Sequence, residues 1–102
     1  GMDLNSALQE SRNTDKNVFI DFYADWCPYC KELDEKTFKD TRVQEKLSQN
    51  YVAVKINTDD NPELASQYKV YSLPTLVILN SDGQEVKRYN GYVSADDLFA
   101  ML

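Results

Sequence analysis

Val18-Phe19-Ile20-Asp21-Phe22-Tyr23-Ala24-Asp25-Trp26-Cys27-Pro28-Tyr29-Cys30 is the stretch that decides how this chain folds. Its first six residues are apolar apart from Asp21, the pattern of a central strand covered on both faces. Pro28 suits the first turn of a helix, where a missing N–H costs nothing, so Cys27 falls near the N-cap. Cys27 and Cys30 are the only 2 cysteines. A cysteine just ahead of a helix faces unsatisfied backbone N–H groups and the positive end of the helix dipole, and both favour a thiolate. The thiolate is the form that attacks disulfides. Cys30 lies about one turn further on, on the same face, where the extended N-cap geometry permits a short disulfide. A purely structural bridge across so few residues would add little stability through chain entropy. Cys27 is therefore the candidate nucleophile and Cys30 its resolving partner.

Bulk properties narrow the field. The 102 residues are expected to form a single domain over 1–102, with a modest core. A net charge of −6 argues against nucleic acid, which demands basic patches. No apolar run approaches the roughly 20 residues that span a bilayer, and no signal peptide is visible. Gly1 ahead of Met2 has the form of a tag-cleavage scar, so that second absence carries no weight. Histidine is missing, which removes Cys–His nucleophilic catalysis and most zinc sites. Two cysteines cannot complete the usual four-ligand shell of a metal, so neither a metal nor another bound cofactor is expected. A monomer is expected.

Working outward from the quoted stretch, residues 4–12 read as a short amphipathic helix with Leu4, Ala7 and Leu8 on one face. The helix opened by Pro28 runs through Leu33 to about Phe38. There the apolar spacing slips, and Thr41 with Gln44 makes a capping-box pattern for a second segment carrying Val43 and Leu47. A kink or break is predicted near 39–41. Residues 51–56 form a second buried strand. Asn61-Pro62 is an N-cap and first-turn proline for a helix packing Leu64, Ala65 and Tyr68. Residues 76–79 form a third strand, joined through Ser81-Asp82-Gly83 to a fourth at 85–89 as a hairpin. Ser94, with Asp97 three residues on, caps a C-terminal helix through Leu98, Phe99 and Leu102. The first two strands, joined across a helix, should be parallel and the terminal hairpin antiparallel. The fold class is α/β, a mixed sheet with helices on both faces.

Asp21-Phe22-Tyr23-Ala24-Asp25-Trp26-Cys27-x-x-Cys30-Lys31, followed by Leu73-Pro74-Thr75, resembles the thioredoxin superfamily over residues 18–102. That resemblance implies a four-stranded sheet in the order 2-1-3-4. Within the superfamily it is strongest to the C-terminal thioredoxin-like domain of membrane-linked bacterial thiol:disulfide interchange proteins. Tyr23-Ala24-Asp25-Trp26-Cys27, Lys31-Glu32-Leu33, Thr37-Phe38 and Val43-Gln44 carry the closer likeness. A lone C-x-x-C is a weak signal; joined to the apolar strand, Trp26 and Leu-Pro-Thr it is a strong one.

The resemblance implies a protein-disulfide oxidoreductase, with reduction the favoured direction. Its partners would be disulfide-containing proteins or peptides and an upstream dithiol electron donor. It points to the cell envelope, with the cytoplasm left open. Burial in an apolar strand should raise the pKa of Asp21; by resemblance this acid lies beneath Cys30 and exchanges its proton. Lys55 interrupts an apolar run in the same way; by resemblance it pairs with Asp21 and tunes it, whereas as a solvent-facing strand lysine it would have no role. Asp34 matches a second acid near the cysteines, although its place in the sequence reads as helix surface. Pro74 should be cis by resemblance, setting the Leu73 backbone beside Cys27, where it can pair with an extended peptide. Trp26, Pro28 and Tyr29 form the rim that partners touch. The Pro28-Tyr29 pair is that of glutaredoxins, whose potentials lie at about −200 to −230 mV against about −270 mV for thioredoxin. A glutathione-dependent activity is thus one alternative, and a non-catalytic peptide-binding module is another.

Overall fold

The computed structural model describes residues 3–102. Gly1, with its resemblance to a tag scar, lies outside them. Strand β1 (Asn17–Tyr23) is the spine, and its five interior residues are all buried. It pairs in parallel with β2 (Tyr51–Asn57) and antiparallel with β3 (Thr75–Leu79). Strand β3 pairs antiparallel with β4 (Glu85–Asn90), which gives the order β2-β1-β3-β4. The hairpin between them turns at Gly83, whose φ of 83° lies in the region that glycine tolerates best. Asn80 holds the turn by accepting the N–H groups of Asp82 and Gln84 through its side chain.

Helices lie on both faces. Helix α1 (Leu4–Thr14) and α4 (Pro62–Gln67) cover one side, where Ala7 and Leu64 pack with Ile20, Phe22, Val54 and Val77. Helices α2 (Pro28–Glu32), α3 (Thr41–Asn50) and α5 (Ala95–Met101) cover the other, where Leu33, Val43 and Leu98 pack with Phe19, Leu76 and Ile78. Alternation along β1 explains the two cores, since Ile20 and Phe22 point one way and Phe19 and Asp21 the other. No helix of the described residues is long and apolar enough to cross a membrane.

Three local expectations are corrected. The second segment of the long helix is capped by Asp40, not Thr41: the Asp40 carboxylate accepts the N–H groups of Arg42 and Val43. Gln44 does not close a capping box and donates instead to the Phe38 carbonyl at 2.8 Å. Asn61 stands at the N-cap of α4, but its side chain donates backward to the Asn57 carbonyl at 2.9 Å and tightens the preceding loop. Strand β2 is buried on one face only, because it sits at the sheet edge and leaves Ala53 and Lys55 exposed. Elsewhere the expected elements are present, with Ser94 accepting the Asp97 N–H at the start of α5.

The predicted break is present and begins earlier than expected. Helix α2 widens into one π-helical turn over Leu33–Thr37, closed by Phe38 N–H donating to the Leu33 carbonyl at 3.0 Å. Such turns are rare and often lie at functional sites. Thr37 anchors this one: its buried hydroxyl donates to the Val93 carbonyl at 2.6 Å, tying the turn to the loop ahead of α5. Thr37→Val keeps the shape and removes the donor, so unfolding by urea should show a loss of about 1–3 kcal/mol. An unchanged midpoint would mean that the Val93 carbonyl finds another partner.

Candidate active site

Strand β1 ends at Tyr23, and one short turn carries the chain to Cys27, whose N–H donates to the Ala24 carbonyl at 3.2 Å. Cys27 is the N-cap of α2 and Pro28 its first residue, as the sequence predicts. The Cys27 backbone is extended (φ −85°, ψ 112°), and this aims its side chain back over the first turn. Its Sγ accepts the Cys30 N–H at 3.1 Å. Both cysteines are free and buried, and with Ala24 they form a small apolar cluster against which Tyr23 and Leu73 pack. Burial pushes the Cys30 thiol up to about 12, with contact to the Cys27 sulfur adding to the rise and the Ala24 backbone opposing it.

The Asp21 carboxyl group lies near enough to Cys30 for its charge to add to the rise of that thiol. Asp21 is 3% exposed, and its Oδ1 accepts no hydrogen bond from any described residue. Burial raises its pKa to about 7, opposed by the charge of Lys55 and reinforced by that of Asp34. Lys55 stands opposite Asp21 in the β1–β2 register. Its Nζ, however, donates to both oxygens of Asp34 at 3.1 Å and stops 4.0 Å short of Asp21 Oδ2. The expected Lys55–Asp21 pair is therefore a contact at the outer limit of an ion pair, and the close partner is Asp34. Burial pulls the Lys55 ammonium down, but the Asp34 hydrogen bond and the two carboxylate fields more than offset it, leaving its pKa raised. The same Nζ lies 4.7 Å from the Tyr23 ring centre. Asp34 is half-buried, and the π-helical turn that begins at Leu33 brings it over β2.

The Leu73–Pro74 peptide bond is cis. Pro74 is buried, its carbonyl accepts the Gly91 N–H at 2.7 Å, and the β1–β3 ladder starts just after it at Thr75. Leu73 thus borders the cysteine cluster and stands outside the ladder. Trp26 and Tyr29 are 66% and 60% exposed, an unusual concentration of open aromatic surface beside two buried sulfurs. The structure adds one residue that sequence reasoning missed. Asp59, in the loop after β2, accepts the indole N–H of Trp26 at 2.9 Å and fixes the orientation of that ring. No spacing rule links positions 33 residues apart, so only the folded chain brings them together.

Residues 4–102 match the thioredoxin-like domain family. The chain belongs to that family. Among the relatives of this thioredoxin-like domain is the thiol:disulfide interchange protein DsbD of Campylobacter jejuni (strain RM1221), 36% identical over 98 residues. That alignment covers 92% of this chain but only 17% of the relative's length. The crystal structure of the Neisseria meningitidis DsbD C-terminal domain in its oxidised form superposes with a TM-score of 0.78 at 27% identity. It covers 95% of this chain and 87% of that one. A thioredoxin from Thermus thermophilus superposes with a TM-score of 0.85 at 25% identity, covering 96% of this chain and 79% of that one.

The state of Asp21 makes stability depend on pH. Its folded pKa near 7 exceeds the model-peptide value of 3.8, so the folded state holds the proton more tightly than the unfolded one. Stability from this group is full below about pH 4 and is lost as pH rises through about 7. Asp21→Asn should therefore stabilise the protein above pH 7, by up to a few kcal/mol on the order of the linkage, and much less in acid. Thermal melts across pH test this, and equal gains at acid and alkaline pH would contradict it. Lys55→Met should move the Asp21 midpoint further up, because it removes the one cation that opposes burial.

Proposed function

We propose that this thioredoxin-like domain is a protein thiol–disulfide oxidoreductase that works chiefly as a reductase. What supports the reading is Cys27 at a helix start with its sulfur on the Cys30 N–H, and a buried Asp21 near enough to Cys30 for its charge to be felt there. The names of the DsbD relatives support the reaction class, and both thiols are present to perform it.

The cycle follows from the environments. The Cys27 sulfur, at the mouth of α2 and accepting the Cys30 N–H, is the attacking sulfur. It attacks one sulfur of a partner disulfide, forming a mixed disulfide and releasing the partner's other sulfur as a thiolate that takes up a proton. Cys30 is held as the neutral thiol by burial. To resolve the intermediate it must lose its proton, and Asp21, with a pKa near 7, is the acceptor within the protein. The Cys30 sulfur then attacks Cys27 Sγ, the bond from Cys27 to the partner breaks, the departing partner thiolate takes up a proton to complete the dithiol, and the Cys27–Cys30 disulfide remains. An upstream dithiol donor returns it to the starting state. Lys55 and Asp34 act through Asp21 by setting its proton affinity. The open faces of Trp26 and Tyr29, with Pro28 between them, and the Leu73 backbone beside Pro74 form the surface on which a partner segment rests.

Insulin-disulfide reduction tests the proposal. Cys27→Ser should abolish turnover, and Cys30→Ser should accumulate mixed disulfides on Cys27 that a reductant releases. Asp21→Asn should slow release of the mixed disulfide by about 10²-fold or more, the scale of general-base loss, with its first attack little changed. Equal inertness of the wild type and both cysteine variants would remove the enzyme reading and leave a peptide-binding module.

A further inference from the structure

On the α3 side of the sheet, a cleft of about 260 Å³ opens between β2 and the π-helical turn. Phe19, Phe38, Leu47 and Ala53 give it apolar walls, and Asp21, Asp34 and Lys55 its polar groups. Phe19 and Phe38 meet edge to face at 6.1 Å between centroids, so the wall is aromatic. Ala53 and Lys55 are exposed at its mouth, whereas Asp21 is among its most buried members. Trp26, Tyr29 and the two cysteines do not line it; what it shares with the redox cycle is Asp21 with its neighbours Asp34 and Lys55. The unpartnered Oδ1 of Asp21 is a strong acceptor left without a donor, an uncommon state for a buried carboxyl group.

We propose that this cleft binds a small aromatic cation, a single ring carrying an amidinium or similar planar head. The ring lies against Phe19, Phe38 and Leu47, and the head donates to Asp21. Size fits, because a cavity of about 150 Å³ holds benzene and this one has room for a head group besides. Charge fits as well. Asp21 and Asp34 carry two negative charges against the single one of Lys55, which leaves a net negative site whenever Asp21 is ionised. Planar N–H pairs also match carboxylate geometry better than a point cation does. The groups facing Asp21 are Lys55 of β2, Asp34 of the π-helical turn and Cys30 of α2; its β3 neighbour Leu76 is apolar. A bound cation holds Asp21 as the carboxylate. The consequence for turnover rests on the proton role proposed above, but binding itself does not.

Benzamidine is the probe, titrated into the reduced protein and followed by NMR. Expected are saturable shifts confined to β1, β2, the π-helical turn with Phe38, and the Leu47 region of α3, and affinity falling about tenfold or more from about pH 8 to about pH 5.5 as Asp21 takes up its proton. Asp21→Asn should weaken binding about tenfold or more, the scale of one charged hydrogen bond. Ala53→Leu, at an exposed strand position, should block the mouth and weaken binding similarly, while insulin reduction without probe stays unchanged. The Cys27→Ser/Cys30→Ser double variant should bind as the wild type does, which separates this site from the redox reading. Absence of saturable binding, or binding indifferent to Asp21→Asn, overturns the proposal.

Discussion

A carboxyl group has been folded into the middle of a central strand that serves both cores, and most of the candidate site follows from that. Water would stabilise its charge; the packed faces of β1 do not. Lys55 could compensate, yet it keeps half of its side chain in solvent and spends its hydrogen bonds on Asp34. Desolvation therefore prevails over Coulomb attraction, and the proton affinity of Asp21 rises into the neutral range. A fully satisfied ion pair would have kept the group charged and removed its use as a proton acceptor.

The two cysteines illustrate the same point with identical side chains. Cys27 sits at the point where backbone N–H groups of α2 lack helical partners, and its sulfur takes one of them. Cys30, three residues later, has entered the helix and lies under Ala24 and beside Asp21, where burial opposes a second negative charge. One sulfur meets the open N–H groups of a helix start, and the other is held as a thiol by burial. The acid that can receive the second proton lies on the adjoining strand rather than on the same helix. A chain of local events (strand end, turn, helix start) thus supplies half of the chemistry, and sheet register supplies the other half.

The π-helical turn connects the halves. By adding a residue to one turn it presents Asp34 to Lys55 across the sheet edge, while Thr37 pins its far end to the Val93 loop. It also accounts for the slip in apolar spacing after Phe38, which reads in the sequence as a simple break. Asp40 then restarts the helix because its short carboxylate reaches two N–H groups at once. Thr41 offered a capping-box pattern that tertiary packing did not select.

What the sequence alone determined is whatever depends on near neighbours and on period. The apolar run 18–23, Pro28 at the first helical position, Ser94 ahead of α5 and the glycine turn at 83 are legible because local sterics and hydrogen bonding decide them. The hidden carboxylate in β1 was legible for a similar reason, since an apolar strand leaves its one charged residue no exposed face. What tertiary structure decided are the pairings: Asp34 rather than Asp21 on the Lys55 ammonium, Asp59 on the Trp26 indole, and one open face on β2. Each joins residues far apart in the chain whose competition is settled by distance and exposure. Those quantities exist only once the sheet has closed.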